Sequence, residues 1–340
     1  MTRLRKPVPD LMKGIAVLAM VQVHIMELFA RPEILTGTPG KISLFLGGPF
    51  AAPVFMALMG YMLGSSSKSG WGKTRRGLKL IILGLLLNIG LNFHLLIKIY
   101  NGTFNFNPLE YIFGADILFL AGLSIVFIAM LEKLFRKRFY PVVVLSVIIP
   151  LISPYLPDLP SQLKYFQAFF HGNATWSYFP VFPWLAYPLF GYGWKKFETE
   201  VPSAWNWVNQ KMILVLILAG ILIFGACIPA FKIITQLPSY YHHHIFLFIW
   251  ITGFLGLWSW LVEKMETLAG KSLVMIYIKW LGRNVTVVYV IQWLVIGNIA
   301  TAIYQTQAGW ALCLWFVVIL TVSSILTYFY ARIITGRAGR

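Results

Sequence analysis

Four ionisable residues near the start of the chain share one face of a predicted helix. They are Asp10, Lys13, His24 and Glu27, within an otherwise apolar run over residues 8–30. Lys13 precedes His24 by eleven residues, about three turns of α-helix, so both side chains project to the same side. Asp10 and Glu27 extend this stripe at a spacing of three residues. Because ionisable groups are costly inside an apolar helix, the stripe is a candidate functional site.

His24 has the clearest chemistry of these four residues. A neutral imidazole, with an ordinary pKa of about 6.5, can take a proton from a hydroxyl or an amine. We therefore predict that His24 is a general base and that Glu27 is the catalytic carboxylate that orients it. The competing interpretation is a packed core histidine with an interfacial lysine at Lys13, and the residue types leave it open.

Polar residues in two other predicted helices would complete such a site. Asn88 and Asn92 are four residues apart and share a helix face, and His94 follows them. We predict that these three residues bind a substrate, although amides at this spacing also hold helices together. Asp116 begins another helix and is predicted to be catalytic. Its alternatives are pairing with His94 or a basic group, or capping its own helix.

A run of three histidines, residues 242–244, has the residue type of a metal site. Neighbouring residues on a helix point in different directions and seldom converge on one ion, so we expect no metal. We predict instead that His244 faces the substrate. Trp184 is predicted to stack on a substrate, and an aromatic belt at the membrane surface explains it equally well.

Basic residues precede two of the predicted helices. They lie in residues 73–79 before one helix and at residue 283 before another. Cations and free backbone N–H groups at the start of a helix suit a phosphate-bearing ligand. The need to fix the membrane topology explains most of these charges as well. The predicted phosphate-ligand set consists of Lys13, Arg75, Arg76, Arg283 and Asn284.

The composition requires a membrane to hold these residues in place. The chain has 340 residues, of which 59% are hydrophobic and 11% are charged, against roughly 25% charged residues in soluble domains. Apolar stretches of about 20 residues suit a bilayer. We therefore predict an all-α polytopic helix bundle that forms one domain over residues 1–340. Neither a cleavable signal peptide nor a disulfide between Cys227 and Cys313 is expected.

About ten transmembrane helices are predicted from the apolar runs. They cover residues 8–30, 47–66, 77–99, 112–133, 140–156, 180–196, 211–231, 243–263, 285–304 and 309–333. Residues 31–46 and 157–179 are predicted to be outer loops, the second with a short amphipathic helix through 162–170. Residues 268–283 are too polar to span comfortably and are predicted to lie at the membrane interface.

The basic residues give this bundle an orientation. When the chain is threaded alternately, all but five of its 28 Lys and Arg fall on one side; the exceptions are Arg31, Lys41, Lys98, Lys164 and Lys232. Positive charge collects on the cytoplasmic side, so both termini are predicted to be cytoplasmic. A net charge of +17 would suggest nucleic acid for a soluble protein. Here the placement of the charge explains it, and no nucleic-acid partner is expected.

The order of several short motifs resembles the transmembrane acyltransferases. Asp10-Leu-Met-Lys13-Gly14 followed by His24 is similar to the opening Asp-x-x-Arg-Gly…His signature, and the Lys13-x10-His24 spacing matches the acyltransferase-3 branch. Later segments resemble the heparan-α-glucosaminide N-acetyltransferase branch and its bacterial relatives; they are Ala52-Pro53-Val54-Phe55, Arg76-Gly77-Leu78-Lys79-Leu80, Gly114-Ala-Asp116 and Leu281-Gly282-Arg283-Asn284. Two positions depart from the pattern. Lys13 replaces an arginine and its bidentate capacity, and Gln292 stands where relatives often carry histidine.

The resemblance implies transfer of an acyl group, expected to be acetyl, from cytoplasmic acyl-CoA to a hydroxyl or amine of an extracytoplasmic sugar or glycan. It implies a bacterial cytoplasmic (inner) membrane, with the bilayer, acyl-CoA and the carbohydrate acceptor as partners, and it leaves a homodimer open. The phosphate-ligand set would then hold the CoA donor, and Trp184 would stack on the sugar. The main alternative is a secondary transporter that uses the same histidine and carboxylates as a proton relay. A third interpretation is a catalytically silent scaffold or lipid-binding protein.

Overall fold

The computed structural model describes residues 7–135, 138–172 and 174–338, and these are helical with no strand among them. One isolated bridge joins Ala30 to Gln307. The predicted all-α class is confirmed. Some of the basic residues assigned to the cytoplasmic side lie outside the described residues, namely Arg3, Arg5, Lys6, Arg136, Lys137 and Arg340.

The helices of the described residues are numbered here in chain order. They are α1 (Val8–Phe29), α2 (Pro32–Thr36), α3 (Thr38–Phe50), α4 (Ala52–Gly64), α5 (Gly70–Leu91), α6 (Phe93–Tyr100), α7 (Pro108–Ile112), α8 (Ile117–Leu134), α9 (Tyr140–Ile152), α10 (Lys164–Phe170), α11 (Val181–Trp184), α12 (Ala186–Glu200), α13 (Pro202–Gln210), α14 (Met212–Gly225), α15 (Cys227–Ile234), α16 (Leu237–Tyr241), α17 (Ile245–Ala269), α18 (Leu273–Arg283), α19 (Val285–Ile303) and α20 (Gly309–Ala338).

Six helical segments of the described chain are long and apolar enough to cross a membrane. They are α1, α3 with α4, α8, α17, α19 and most of α20. Two further pairs pass the same test but are bent, by 58° between α5 and α6 and by 72° between α13 and α14, which raises the number to eight. Helix α9 is apolar but shorter. The number of ten spans therefore stays a prediction, as does the side of the membrane on which the termini lie.

The first predicted outer loop is wrong, because residues 31–46 are mostly helical. Helices α2 and α3 each carry a proline in the first turn, where its fixed backbone angle favours a helix start. Helix α3 then packs on α1: Gln22 and Ser43 exchange two hydrogen bonds, of 3.0 and 2.6 Å, and Gly47 lies against Val23. The prediction of a loop over residues 31–46 rests on their high content of Gly, Pro and Thr. In the structure these prolines begin helices, and glycine allows a close crossing of two helices.

The described chain divides into two compact units by its contacts, and the single domain over residues 1–340 stays a prediction. The first unit comprises residues 1–52, 89–106 and 259–340, and the second comprises residues 53–88 and 107–258. In the first unit α1 packs against α3, α18, α19 and α20. In the second unit α12 packs against α9, and its Gly191 lies directly against the backbone of Ala57 in α4. The first unit therefore encloses α1, the helix that carries the predicted base.

Helix α18 crosses α1 at a point where both helices have glycine. A methyl group on Gly14 would overlap the carbonyl oxygen of Ile278, and one on Gly282 would overlap the carbonyl oxygen of Asp10. Small residues let helices approach this closely in membranes. At about 1.5 Å per residue the eleven residues of α18 span roughly 16 Å, too short to cross a bilayer. The Lys13-Gly14 and Leu281-Gly282-Arg283 motifs therefore meet in space.

Candidate functional site

His24 of α1 lies against two consecutive residues of α19. Its Nδ1 is 3.5 Å from Oε1 and 3.4 Å from Nε2 of Gln292, whose side chain is fully buried. The imidazole ring also packs on the indole of Trp293, with ring centroids 4.0 Å apart and the planes tilted by 34°. The hydrogen-bond partner is thus 268 residues away in the chain.

Glu27 does not take the place predicted for it beside the imidazole. Among the described residues its carboxylate has no hydrogen bond or ion pair, and no hydrogen bond reaches Nε2 of His24. Both residues are partly accessible. The first unit therefore holds a base candidate with a free ring nitrogen, and a carboxylate one turn further along α1.

Lys13 and Asp10 form a buried ion pair near the other end of α1. The Lys13 Nζ is 2.9 Å from Asp10 Oδ1, and the two side chains are 11% and 5% exposed. The pairing partly neutralises the charge that was predicted to hold phosphate. Removal of one partner from a buried pair leaves an uncompensated charge, which is why such pairs are strongly coupled.

Arg283 and Asn284 lie at the junction of α18 and α19. Arg283 is exposed, and its Nε donates a long 3.4 Å hydrogen bond to the Lys279 carbonyl. The Asn284 side chain donates to the Trp280 carbonyl at 2.9 Å and so caps the end of α18. Because Gly282 contacts Asp10, this exposed guanidinium belongs to the helix that lies directly on the buried pair.

The members of the phosphate-ligand set that lie in the second unit are surface cations. Arg75 and Arg76 are exposed on α5. Their neighbour Lys73 is buried instead, with its Nζ bonded to both Glu132 carboxylate oxygens at 2.6 and 2.7 Å. This pair joins α5 to α8, so the basic run has one structural lysine and two arginines that face outward.

His94 and Asn92 lie at the break between α5 and α6, which the sequence does not reveal. The side chain of Asn298 in α19 forms a hydrogen bond to each of the two helix ends at the break. Its Oδ1 accepts from the His94 backbone N–H at 2.9 Å, and its Nδ2 donates to the Gly90 carbonyl at 2.8 Å. The Nδ1–H of His94 in turn donates to the Asn298 carbonyl at 3.2 Å. A helix break leaves orphan backbone groups, and one amide satisfies two of them. Asn92 is the residue between the two helices.

Asn88 and Asp116 take up the structural alternatives given for them. The Asn88 amide is buried and donates to the carbonyls of Ile112 and Gly114, at 3.0 and 2.8 Å. It therefore holds the segment before α8 rather than lining an open cavity. Asp116 is the N-cap of α8, where its Oδ1 accepts from the Leu118 N–H at 2.9 Å.

Trp184 and the histidine run also serve the packing of the second unit. Trp184 is fully buried and donates its indole N–H to the Tyr241 carbonyl at 2.7 Å, so protein encloses the ring that was predicted to stack on a sugar. His243 is buried between the Tyr240 carbonyl at 2.8 Å and the Tyr187 hydroxyl at 2.9 Å. Burial lowers the pKa of His243 to about 4. His244 is exposed. No cluster that could hold a metal ion is found in the described ranges.

The predicted site residues divide between the two units. The first unit holds Lys13, His24, Glu27, Asn92, His94, Arg283 and Asn284, and the second holds Arg75, Arg76, Asn88, Asp116, Trp184 and His244. The structure brings His24 together with Gln292 and Trp293, and Lys13 with the Gly282 motif. Nothing in the sequence indicates the contacts that Trp293 and Asn298 make. Gln292 is different, because it stands where the proteins that this sequence resembles often carry histidine, and this departure marks the position as unusual.

Comparisons with known proteins give one match. The family model of an acyltransferase domain, acyltransferase-3, matches residues 7–332. The search of the curated proteins and that of the solved structures found no significant match. The matched span contains every residue of the predicted site.

Proposed function

Because this chain belongs to the acyltransferase-3 family and is an integral membrane protein, we propose that it moves an acyl group from cytoplasmic acyl-CoA to an extracytoplasmic carbohydrate. The acyl group is proposed to be acetyl, and the acceptor a hydroxyl or an amine. The setting is a bacterial cytoplasmic membrane crossed about ten times, with both termini inside. Ten crossings require α9 and α12 to serve as short spans, in addition to the six long helical segments and the two bent pairs.

The proposed reaction runs as a direct transfer with His24 as the base. Nε2 of His24 takes the proton of the acceptor hydroxyl, and the hydroxyl oxygen attacks the carbonyl carbon of the acyl-CoA thioester. A C–O bond forms, the C–S bond breaks, and the proton passes from His24 to the leaving CoA thiolate. An amine acceptor reacts in the same way, with formation of a C–N bond. The free Nε2 of His24 is the single observation that carries this proposal, because a base needs an unoccupied nitrogen.

The donor phosphates are proposed to lie near the α18–α19 junction. Arg283 supports this best, since it is exposed and lies on the helix that touches Asp10. Lys13 is already paired with Asp10, so its contribution is the position of this helix crossing. Arg75 and Arg76 are exposed cations of the second unit, and their role as phosphate ligands stays a prediction.

The test is acyl transfer by the purified protein in lipid nanodiscs. Acetyl-CoA is supplied with an acceptor carbohydrate, and the released thiol and the acylated product are both measured. We expect His24→Ala to lose at least about 100-fold in kcat, the lower range for a general base. The matched control is His171→Ala, since His171 lies at the end of α10 outside the proposed site.

Two outcomes would contradict the proposal. Full activity in His24→Ala would remove His24 as the base. If the wild-type protein consumes no thioester but acylates the carbohydrate from a different donor, acyl-CoA is not the donor, although the acyltransferase activity of the family remains.

A further inference from the structure

The neighbour of Nδ1 decides whether His24 can act as a base at Nε2. A neutral imidazole carries one N–H and one lone pair, on different nitrogens. Nε2 holds the lone pair only when the proton is on Nδ1, and the group that Nδ1 meets selects this tautomer. At His24 that group is the side-chain amide of Gln292.

Gln292 is held in this position by its surroundings. It is fully buried in α19 of the first unit, and His24 is the hydrogen-bond partner that the described residues give its amide. The next residue, Trp293, packs on the imidazole at 4.0 Å and limits rotation of the ring. Glu27 makes no hydrogen bond to His24, so it does not perform this task.

The two orientations of the Gln292 amide have opposite consequences. If Oε1 faces Nδ1, it accepts the Nδ1–H and leaves the lone pair on Nε2. If the amide nitrogen faces Nδ1, it donates to that nitrogen, the proton moves to Nε2, and the base is lost. The distances of 3.5 and 3.4 Å are long, as is common for catalytic hydrogen bonds without substrate.

We propose that Gln292 is a positioning residue that accepts the Nδ1–H of His24 at Oε1 and thereby fixes the base-competent tautomer. This inference rests on the proposed role of His24 as the base. Side chains that orient a metal-bound imidazole in this way are worth about 10- to 100-fold in affinity or activity, and we expect the same range for the metal-free imidazole of His24. Gln292 would thus perform the task that the sequence assigns to Glu27.

Two substitutions of Gln292 by side chains of similar length distinguish hydrogen-bond acceptance by residue 292 from the packing of its side chain. Gln292→Met fills the space without an acceptor, and Gln292→Glu keeps an oxygen in the same place. We expect Gln292→Met to lower kcat about 10- to 100-fold with little change in KM. We expect Gln292→Glu to retain most of the activity and to move the acid limb of the pH profile to higher pH, because a carboxylate stabilises the imidazolium. Gln210→Met, at an exposed position of α13, is the matched control.

A spectroscopic measurement tests the tautomer without any substitution at residue 292. Protein labelled with ¹⁵N-histidine, compared with a His24→Gln sample to assign the signal, reports which nitrogen is protonated. We expect the proton on Nδ1. A proton on Nε2, or a Gln292→Met variant with the wild-type kcat and pH profile, would overturn the inference. If His24→Ala itself keeps its activity, the proposed function fails, whereas loss in His24→Ala with an unaffected Gln292→Met refutes only the positioning role.

Discussion

The crossing of α1 and α18 gives a quantitative prediction for Gly282→Ala. The new methyl group would overlap the Asp10 carbonyl oxygen and would lie 2.8 Å from the Gly14 nitrogen. Both obstacles are backbone atoms, so no side-chain rotation relieves the overlap and the helices must move apart. Overpacking of this kind costs about 1–3 kcal/mol, and the obstacle here is rigid, so the upper half of this range applies. The helix propensity gained by alanine returns about 0.5–1 kcal/mol.

The net expectation is a loss of about 2 kcal/mol of unfolding free energy. The control is Gly220→Ala in α14, because a methyl group there meets nothing within 4 Å. That variant should be neutral or gain up to about 1 kcal/mol. Unfolding is followed by tryptophan fluorescence during titration of the detergent-solubilised protein with a denaturing detergent. Equal stability of the two alanine variants would refute the close contact between α18 and α1.

Three further predictions concern polar groups held inside the units. Asn298→Ala should lower the unfolding free energy by about 1–3 kcal/mol, because it strands backbone groups at the α5–α6 break, and denaturant titration against the wild type checks this. Lys13→Met should cost more unfolding free energy than the double change of Lys13→Met with Asp10→Asn, since the single change removes the cation that lies 2.9 Å from a buried carboxylate. A double-mutant cycle of unfolding free energies tests this, and additive effects would contradict it. The unfolding free energy should fall by up to about 3 kcal/mol through His243 as the pH drops from about 6.5 toward 4. The cause is that the folded protein holds this imidazole neutral, whereas the unfolded chain protonates it. Thermal melts of the wild type and of His243→Phe should then differ in how steeply the melting temperature falls with pH over this range.

The sequence predicts some local features of both units, because these features depend on helical spacing alone. The stripe that places Asp10 and Lys13 on one face of α1 agrees with their contact, since residues three apart on a helix are neighbours, although the stripe does not itself predict the pairing. The capping alternative for Asp116 likewise follows from its position before an apolar run. In both cases the partner lies within one turn of the residue concerned.

The sequence fails where a partner comes from a distant helix. Nothing in α1 indicates that Gln292, rather than Glu27, meets the imidazole, since this depends on how α19 is rotated against α1. The same holds for Trp184, which has the residue type of a sugar platform and yet is enclosed by its own unit. Burial is set by tertiary packing, and a periodic pattern within one helix does not reveal it.

The position of α1 has a consequence for how the protein is made. This helix is synthesised long before the helices that enclose its ionisable stripe, which are α18, α19 and α20. Until they arrive, the Asp10–Lys13 pair and His24 lack the neighbours that cover them, and polar groups in that state are unfavourable in lipid. The first unit is therefore expected to close late during biogenesis, and a chain arrested before residue 273 should leave the ionisable residues of α1 without these helices around them.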